Sequence, residues 1–406
     1  MSRPNLPDPE RPRRVVGTVL YALGLLLGGL LFTLVFLVPP LFERDPLALY
    51  GNMLSAAALA FPAVLVYMTV PRLLDRYDPE PAWALAMVFV WGAVAACGVS
   101  GVINTVVGEI FGEAVSAVLS APLVEEFMKG LAVAGMFYFW RREFDGVVDG
   151  IIYATFVALG FAAVENVIYY ARAARQGETA LTGLFILRGV ITPWAHPLFT
   201  AMTGIGFGVS RETATGVLRW MAPFLGYAAA VFLHFVWNGS AVFSAAVHVP
   251  IVLILLPLWF LFVAAFLGMV IVLVRRRGRI IRANLQDEVL LGTVTPEEFE
   301  LVGSAFGIFK AAMGPGGAIR AQIIRACARL ALSKWHAERA WRAQRRTVSY
   351  DFILPLREEI RNLRARLQSP HPAPYGHVPQ HVQAPYTSHS PQLPYPPQPP
   401  HGPPRW

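Results

Sequence analysis

Residues 249–282 read VPIVLILLPLWFLFVAAFLGMVIVLVRRRGRIIR. Positions 249–274 pass without a charge, and Arg275, Arg276, Arg277, Arg279 and Arg282 follow at once. About 20 predominantly apolar residues are enough for a helix to cross a bilayer. Basic residues flanking such a run stay on the cytoplasmic side. The stretch therefore reads as a transmembrane helix that ends in the cytoplasm.

Seven more apolar runs precede it, at 15–39, 50–70, 82–105, 114–140, 147–171, 181–210 and 218–243. The run 181–210 contains Pro193 and Pro197, which predicts a kink or a break. The expected fold is all-α: a polytopic membrane helix bundle of about eight transmembrane helices with a helical cytoplasmic tail. Composition agrees. The 406 residues are 55% hydrophobic and 15% charged, against about 25% charged in soluble domains. The first run, about 25 residues long, exceeds the h-region of a cleaved signal peptide. Cys97 and Cys327 lie far apart, one in an apolar run and one in the tail, so no disulfide is expected.

Arginines set the orientation. With the N-terminus inside, fifteen fall in cytoplasmic segments and four outside: Arg44, Arg172, Arg175 and Arg188. Both termini are expected in the cytoplasm of a multi-pass cell-membrane protein. This sidedness accounts for the net charge of +8, so no nucleic-acid partner is inferred from it. The chain divides into a cytoplasmic segment 1–14, a membrane-embedded domain 15–274, a helical cytoplasmic region 275–368 and a tail 369–406. In the third part, Thr295-Pro296-Glu297-Glu298 reads as a helix start, with a cap, a proline at the first position and acids in the first turn. Gly314-Pro315-Gly316-Gly317 breaks the helix. Arg320 to Arg346 then reads as a solvated basic face, or as a helix touching anionic lipid. Thirteen of the last 38 residues are proline and five are histidine. Such a segment buries no core and is expected to be disordered.

Charge inside a bilayer is costly and usually functional. The fourth run carries Glu125, Glu126 and Lys129, the fifth Glu165 and Asn166, the sixth His196, and the seventh His234 and Asn238. Lys129 follows Glu125 by four positions and Glu126 by three, so it can bridge to either on one helix face. At about 1.5 Å per residue, the groups can meet in the middle to outer part of the bilayer. Two imidazoles with carboxylates can hold Zn²⁺ with an open position. A spare glutamate could then take a proton from water and return it to a leaving amine, with Asn238 donating to an oxyanion. A Glu/His pair could also activate water without metal. Taken singly, each residue is also compatible with a structural ion pair or with interhelical glue.

The string Glu125-Glu126-Phe127-Met128-Lys129 resembles the EExxK motif of the PrsW family of intramembrane proteases. Phe161-Ala162-Ala163-Val164-Glu165 resembles its FxxxE motif. His234-Phe235-Val236-Trp237-Asn238 is similar to an HxxxN motif, and His196 sits where a later span of the family carries a histidine. The likeness covers roughly residues 50–274. The wider superfamily, with CAAX prenyl endopeptidases and Abi/CPBP membrane proteins, has EExxxR and FxxxH patterns. Lys129 and Glu165 favour the PrsW branch. The resemblance implies a hydrolase that cuts a membrane-anchored protein, as in cleavage of an anti-sigma factor on the extracytoplasmic side. It implies glutamate-activated water with zinc as the metal, a metal-free mechanism staying open. On this reading Glu125 or Glu126 activates water, Glu165, His196 and His234 hold metal or polarise the water, Asn238 steadies the oxyanion, and Lys129 holds the glutamates. Two other classes remain. A proton-coupled transporter or channel would also bury Glu, Lys and His, although no inverted repeat of broken helices is visible. A non-catalytic membrane scaffold is the third.

Overall fold

All regular structure among the described residues is helical. A computed structural model describes residues 11–368, apart from Arg76, Arg142, 214–215, 248–250, Ala305, Ala343, 345–346 and Val348. The expected disordered tail at 369–406 lies outside the described residues. The order is α1 (Arg11–Phe32), α2 (Pro46–Tyr67), α3 (Ala82–Phe111), α4 (Ala121–Phe139), α5 (Val147–Ala174), α6 (Glu178–Phe185), α7 (Ala195–Glu212), α8 (Val217–Val247) and α9 (Ile251–Ala283). Among the described residues four wider π-helical stretches interrupt this regularity: Thr33–Leu37 after α1, Trp91–Ala96 within α3, Ser116–Ser120 before α4, and Ile186–Ile191 after α6.

Among the described residues six helical stretches are long and apolar enough to cross a membrane: Arg11–Phe42, Pro46–Arg72, Ala82–Phe111, Val147–Ala174, Val217–Val247 and Ile254–Leu290. The protein is a polytopic helical membrane protein, but length and apolarity do not establish the expected eight spans. The run 114–140 is helical, yet α4 carries Glu125, Glu126 and Lys129. The run 181–210 is divided at Thr192–Pro193–Trp194, where the helix stops and restarts as α7 at Ala195. The expected kink is therefore a break, and it places His196 in the first turn of a new helix.

α5 is the centre of the bundle. Every residue from Asp149 to Ala163 is buried, and α2, α3, α4 and α7 pack around it. Between helices in lipid there is little hydrophobic drive, so close van der Waals packing by small residues must hold them. A methyl group added at Gly150 would lie 2.2 Å from the Gly204 carbonyl oxygen, and one at Gly204 would lie 2.1 Å from that of Gly150. The two backbones of α5 and α7 thus touch at a pair of glycines. Gly160 meets the Phe89 carbonyl of α3 in the same way. This contact is what brings Glu165 and His196, carried by α5 and α7, to one place.

α9 runs past the last apolar residue of its span and continues to Ala283. Short helices Gln286–Leu290, Pro296–Val302 and Gly307–Ala312 follow, then α10 (Gly317–Arg342) and α11 (Tyr350–Gln368). Thr295 caps its helix as expected: its hydroxyl accepts from Glu298 N at 3.2 Å, and Glu298 Oε2 accepts from Thr295 N at 2.8 Å. The stretch Arg320–Arg346, read as a solvated basic face, has exposed arginines at 325, 329 and 342 and, on the other side, a buried face. α10 is the core of this region, burying Ile323, Ile324, Cys327, Leu330 and Ala331 against α11 and the end of α9. Its arginines flank a buried apolar stripe, which the basic composition obscured. Burial pushes the Cys327 thiol far above the usual thiol range.

Where α5 begins, Arg277 of α9 reaches Asp149 at 2.7 Å, Asp145 at 3.6 Å and Asp78 at 3.9 Å. His336 of α10 reaches Asp145 at 3.4 Å. Burial, and then the like charge of Asp149, push the carboxyls of Asp75 and Glu80 well above their usual range. Asp145 goes the other way: burial would raise it, but Arg277 and His336 hold it well below. Arg277 is the cation that offsets most of this crowding.

Three outcomes follow for stability. Gly204→Val should lower stability in detergent by about 1–3 kcal/mol through overpacking, read as a fall in Tm. Gly183→Ala has nothing within 4 Å of the added carbon and should leave Tm unchanged or slightly higher. The raised carboxyls of Asp75 and Glu80 favour the fold when protonated and cost stability as pH rises through the carboxylate range. Arg277→Met should therefore cost more Tm at pH 8 than at pH 5, and an equal loss at both would contradict the role given to Arg277.

Candidate active site

The second turn of α4 carries Glu125 and Glu126, with Lys129 one turn on. Pro122 is tolerated there because it falls in the opening turn, and the π stretch Ser116–Ser120 precedes it. The three side chains point inward toward α5, α7 and α8, and Glu126 and Lys129 are wholly shielded from solvent (0% exposed). The Lys129 ammonium lies 2.9 Å from Glu126 Oε1, 3.5 Å from Glu125 Oε2 and 3.1 Å from His196 Nδ1, and 3.9 Å from the centre of the Phe161 ring. Phe161 thus gives the cation an aromatic face.

Hydrogen-bond chemistry fixes the proton positions. An ammonium only donates, so His196 Nδ1 is an acceptor and Nε2 carries the proton, which it donates to Glu165 Oε2 at 2.8 Å. A carboxylate only accepts, so His234 Nδ1 donates to Glu126 Oε1 at 3.1 Å. Thr200 Oγ1 donates to Glu126 Oε2 at 2.7 Å. Glu126 is then fully engaged. Glu125 is not: Oε1 accepts only a 3.3 Å bond from Asn104 Nδ2, and the buried Oε2 has no hydrogen-bond partner. His234 Nε2, a bare lone pair, faces that oxygen at 4.0 Å. Two acceptors turned toward one another require a water, a proton or a cation between them.

Ligand atoms of Glu125, His196 and His234 all lie within 4.8 Å of one another. Two imidazoles and a carboxylate are a donor set that suits zinc, and the orphaned Glu125 Oε2 fits a metal ligand. Glu165 lies at the edge of the cluster. It meets the other side of His196 and is bonded by Arg188, so the converging donors are not Glu165, His196 and His234. Asn238 is anchored to the backbone. It sits one turn beyond His234 and donates to the Ala117 carbonyl at 2.9 Å, tying α8 to the stretch before α4.

All of Glu125, Glu126, Lys129, Glu165, His196 and His234 meet in one cluster, drawn from α4, α5, α7 and α8. Residues 80–272 match the model of the "PrsW family intramembrane metalloprotease". Protease PrsW of Geobacillus kaustophilus is 32% identical over 162 residues, 39% of this chain and 67% of that one. The chain belongs to the PrsW family. It is an intramembrane protease, and so a hydrolase. Protease PrsW of Oceanobacillus iheyensis is 26% identical over 193 residues, 46% of this chain and 82% of the relative. That of Clostridioides difficile is 32% identical over 163 residues, 39% and 66% respectively. No solved structure matches. The matched region of this protease contains the whole cluster and ends before α10 and α11.

Sequence reasoning missed Arg188, which was assigned to the external side, and the bracing residues Asn104, Ser120 and Thr200. Arg188 donates Nε to Asn166 Oδ1 at 2.8 Å and bonds Glu165 through Nη2. Its signal was its place inside an apolar run, eight positions before His196. Asn104 is held by Ser120, whose hydroxyl donates to its Oδ1 at 2.8 Å. Nothing about Asn104 in sequence distinguishes it from interhelical glue.

Lys129→Met leaves two buried carboxylates without their cation, and breaking a buried pair this way costs about 3–5 kcal/mol. The variant should show a large fall in Tm in detergent. Combining it with Glu126→Gln should recover part of that loss. A double variant as unstable as the single one would contradict the pairing.

Proposed function

We propose that the protease hydrolyses a peptide bond of a membrane-anchored protein with water activated at Glu125 Oε2. The observation that carries this reading is the pair Glu125 Oε2 and His234 Nε2, 4.0 Å apart, in which Oε2 has no hydrogen bond and only a 3.5 Å ion pair with Lys129. A water there can give its proton to Glu125 as its oxygen attacks the carbonyl carbon, and Glu125 can return that proton to the leaving amine. Glu126 acts through its neighbours: it holds the His234 tautomer by accepting from Nδ1 and keeps Lys129 beside Glu125. Lys129 offsets the carboxylate charge in a medium that otherwise favours the neutral acid.

Glu125, His196 and His234 are also the residues that would hold a zinc ion, which when bound would lower the pKa of water and polarise the carbonyl. Glu165 would then be the carboxylate left to carry the proton. Asn238 Nδ2 donates one of its two N–H groups to Ala117, which leaves the second for a developing oxyanion. An anti-sigma factor is the substrate suggested by the family resemblance, as is kinship with the CAAX and Abi/CPBP endopeptidases. The arginine asymmetry supports both termini in the cytoplasm of the cell membrane.

Purified enzyme should be assayed on a single-span model substrate. Glu125→Gln should lose at least about 10²-fold in turnover, and wild-type turnover would overturn the assignment. Metal content of the same variant separates the two chemistries: a ligand role predicts loss of bound zinc together with activity, a purely basic role loss of activity alone. A reporter fused after residue 280 should be cytoplasmic, and external placement would overturn the topology.

A further inference from the structure

Arg188 is a charged residue at the edge of the cluster, in a stretch that is otherwise apolar: Ile186-Leu187-Arg188-Gly189-Val190-Ile191. A cation in such a setting is expensive unless it is paired and has a task. All its partners lie on one turn of α5. Nε donates to Asn166 at 2.8 Å, Nη2 bonds Glu165, and the guanidinium stacks 4.2 Å over the Tyr169 ring. The planar fork reaches two acceptors at once, which a lysine cannot do.

The backbone that presents Arg188 is unusual. It is a π-helical turn, a form frequent at functional sites, and it ends at the break before α7. Tyr67 of α2 donates to the Gly189 carbonyl at 2.5 Å, fixing this turn from the other side. Glu165, held by Arg188, in turn accepts from His196 Nε2 at 2.8 Å. A chain of contacts therefore runs from Arg188 through Glu165 to His196, whose remaining nitrogen faces Lys129. The Arg188 and Glu165 side chains retain 21% and 18% exposure, whereas Glu126 and Lys129 have none.

We propose that Arg188 is a positioning residue of the protease, which clamps Glu165 and Asn166 and through Glu165 fixes the orientation and tautomer of the His196 ring. The inference rests on His196 belonging to the site, as in the function proposed above. The clamp acts on an imidazole rather than on substrate contacts, so its loss reduces kcat and leaves KM nearly unchanged. Removal of a hydrogen-bonded group that orients a site histidine typically costs about 10–100-fold.

The test uses the full-length enzyme in detergent and a single-span model substrate. Arg188→Ala should lower kcat about 10–100-fold with KM within about twofold. Arg188→Lys keeps the charge but loses the fork, and should fall between Arg188→Ala and wild type. The Glu165→Gln/Arg188→Met pair removes both charges and keeps the variant foldable if Arg188→Ala alone is unstable. It should be no slower than Glu165→Gln alone, because the two residues act as one unit. Multiplicative losses in that pair, or an Arg188→Ala enzyme with wild-type kcat, would overturn the proposal. So would a change confined to Tm or to KM. His196→Ala separates the levels: if it is fully active, the site reading itself fails. If it is inactive while Arg188→Ala is unaffected, only the clamp fails.

Discussion

A single ammonium group, that of Lys129, lies at the junction of the cluster. It is wholly buried and within 3.5 Å of two carboxylates and an imidazole. In a low-dielectric interior such groups are stable only as a set, since each unpaired charge would cost several kcal/mol (on the order of the Born penalty after relaxation). The rest of the bundle can be understood as what that set requires. α4 must be shielded on every side at Glu126, so α5, α7 and α8 close around it. The close approach of α5 and α7 at Gly150 and Gly204 makes the closure possible, because larger side chains would hold the two backbones apart.

Within the cluster, satisfaction is uneven, and the unevenness carries the chemistry. Glu126 accepts from Lys129, His234 and Thr200. Glu125 is its sequence neighbour but points to a different environment, with one weak bond from Asn104 and one oxygen that has no hydrogen bond and only a 3.5 Å ion pair with Lys129. Two adjacent glutamates thus have different tasks in the proposed reading, one bracing and one reacting. The same division appears between the histidines. His196 has both nitrogens engaged, while His234 keeps a lone pair directed at Glu125.

A second charged junction lies where α5 begins. There Arg277, from the extension of α9, joins Asp149 and Asp145, and His336 of α10 adds a contact. Arg339 of α10 bonds the Glu212 carbonyl at the end of α7, and the Glu212 side chain accepts from Val147 N. The helices that carry Glu165 and His196 are therefore tied at one end to the C-terminal helical region, which lies outside the part matched by the family. This arrangement gives the extra region a mechanical connection to α5 and α7 at the end of α5 away from Glu165.

Much was legible in the sequence because lipid imposes a simple rule. Charges are excluded from spans, so Glu125, Glu126, Lys129, Glu165, His196 and His234 stood out against an apolar background, and helical spacing already put Lys129 over both acids. Local physics also fixed the Thr295 cap and the interruption near Pro193. What the sequence could not decide was partnership. Which carboxylate joins the two imidazoles depends on the rotation of α4 and α5 about their axes, and tertiary packing selected Glu125 over Glu165. The partners of Arg188 on α5 and of Asn238 at Ala117 were not legible, because hydrogen-bond acceptors contributed by other helices cannot be read along one chain. The buried stripe of α10 was missed because composition counts charges without locating the apolar residues between them. The sequence alone determined that this is a membrane helix bundle and which polar groups stand out from its apolar background. The tertiary structure decided which of them touch, since that is set by the close approach of small residues between helices far apart in the chain.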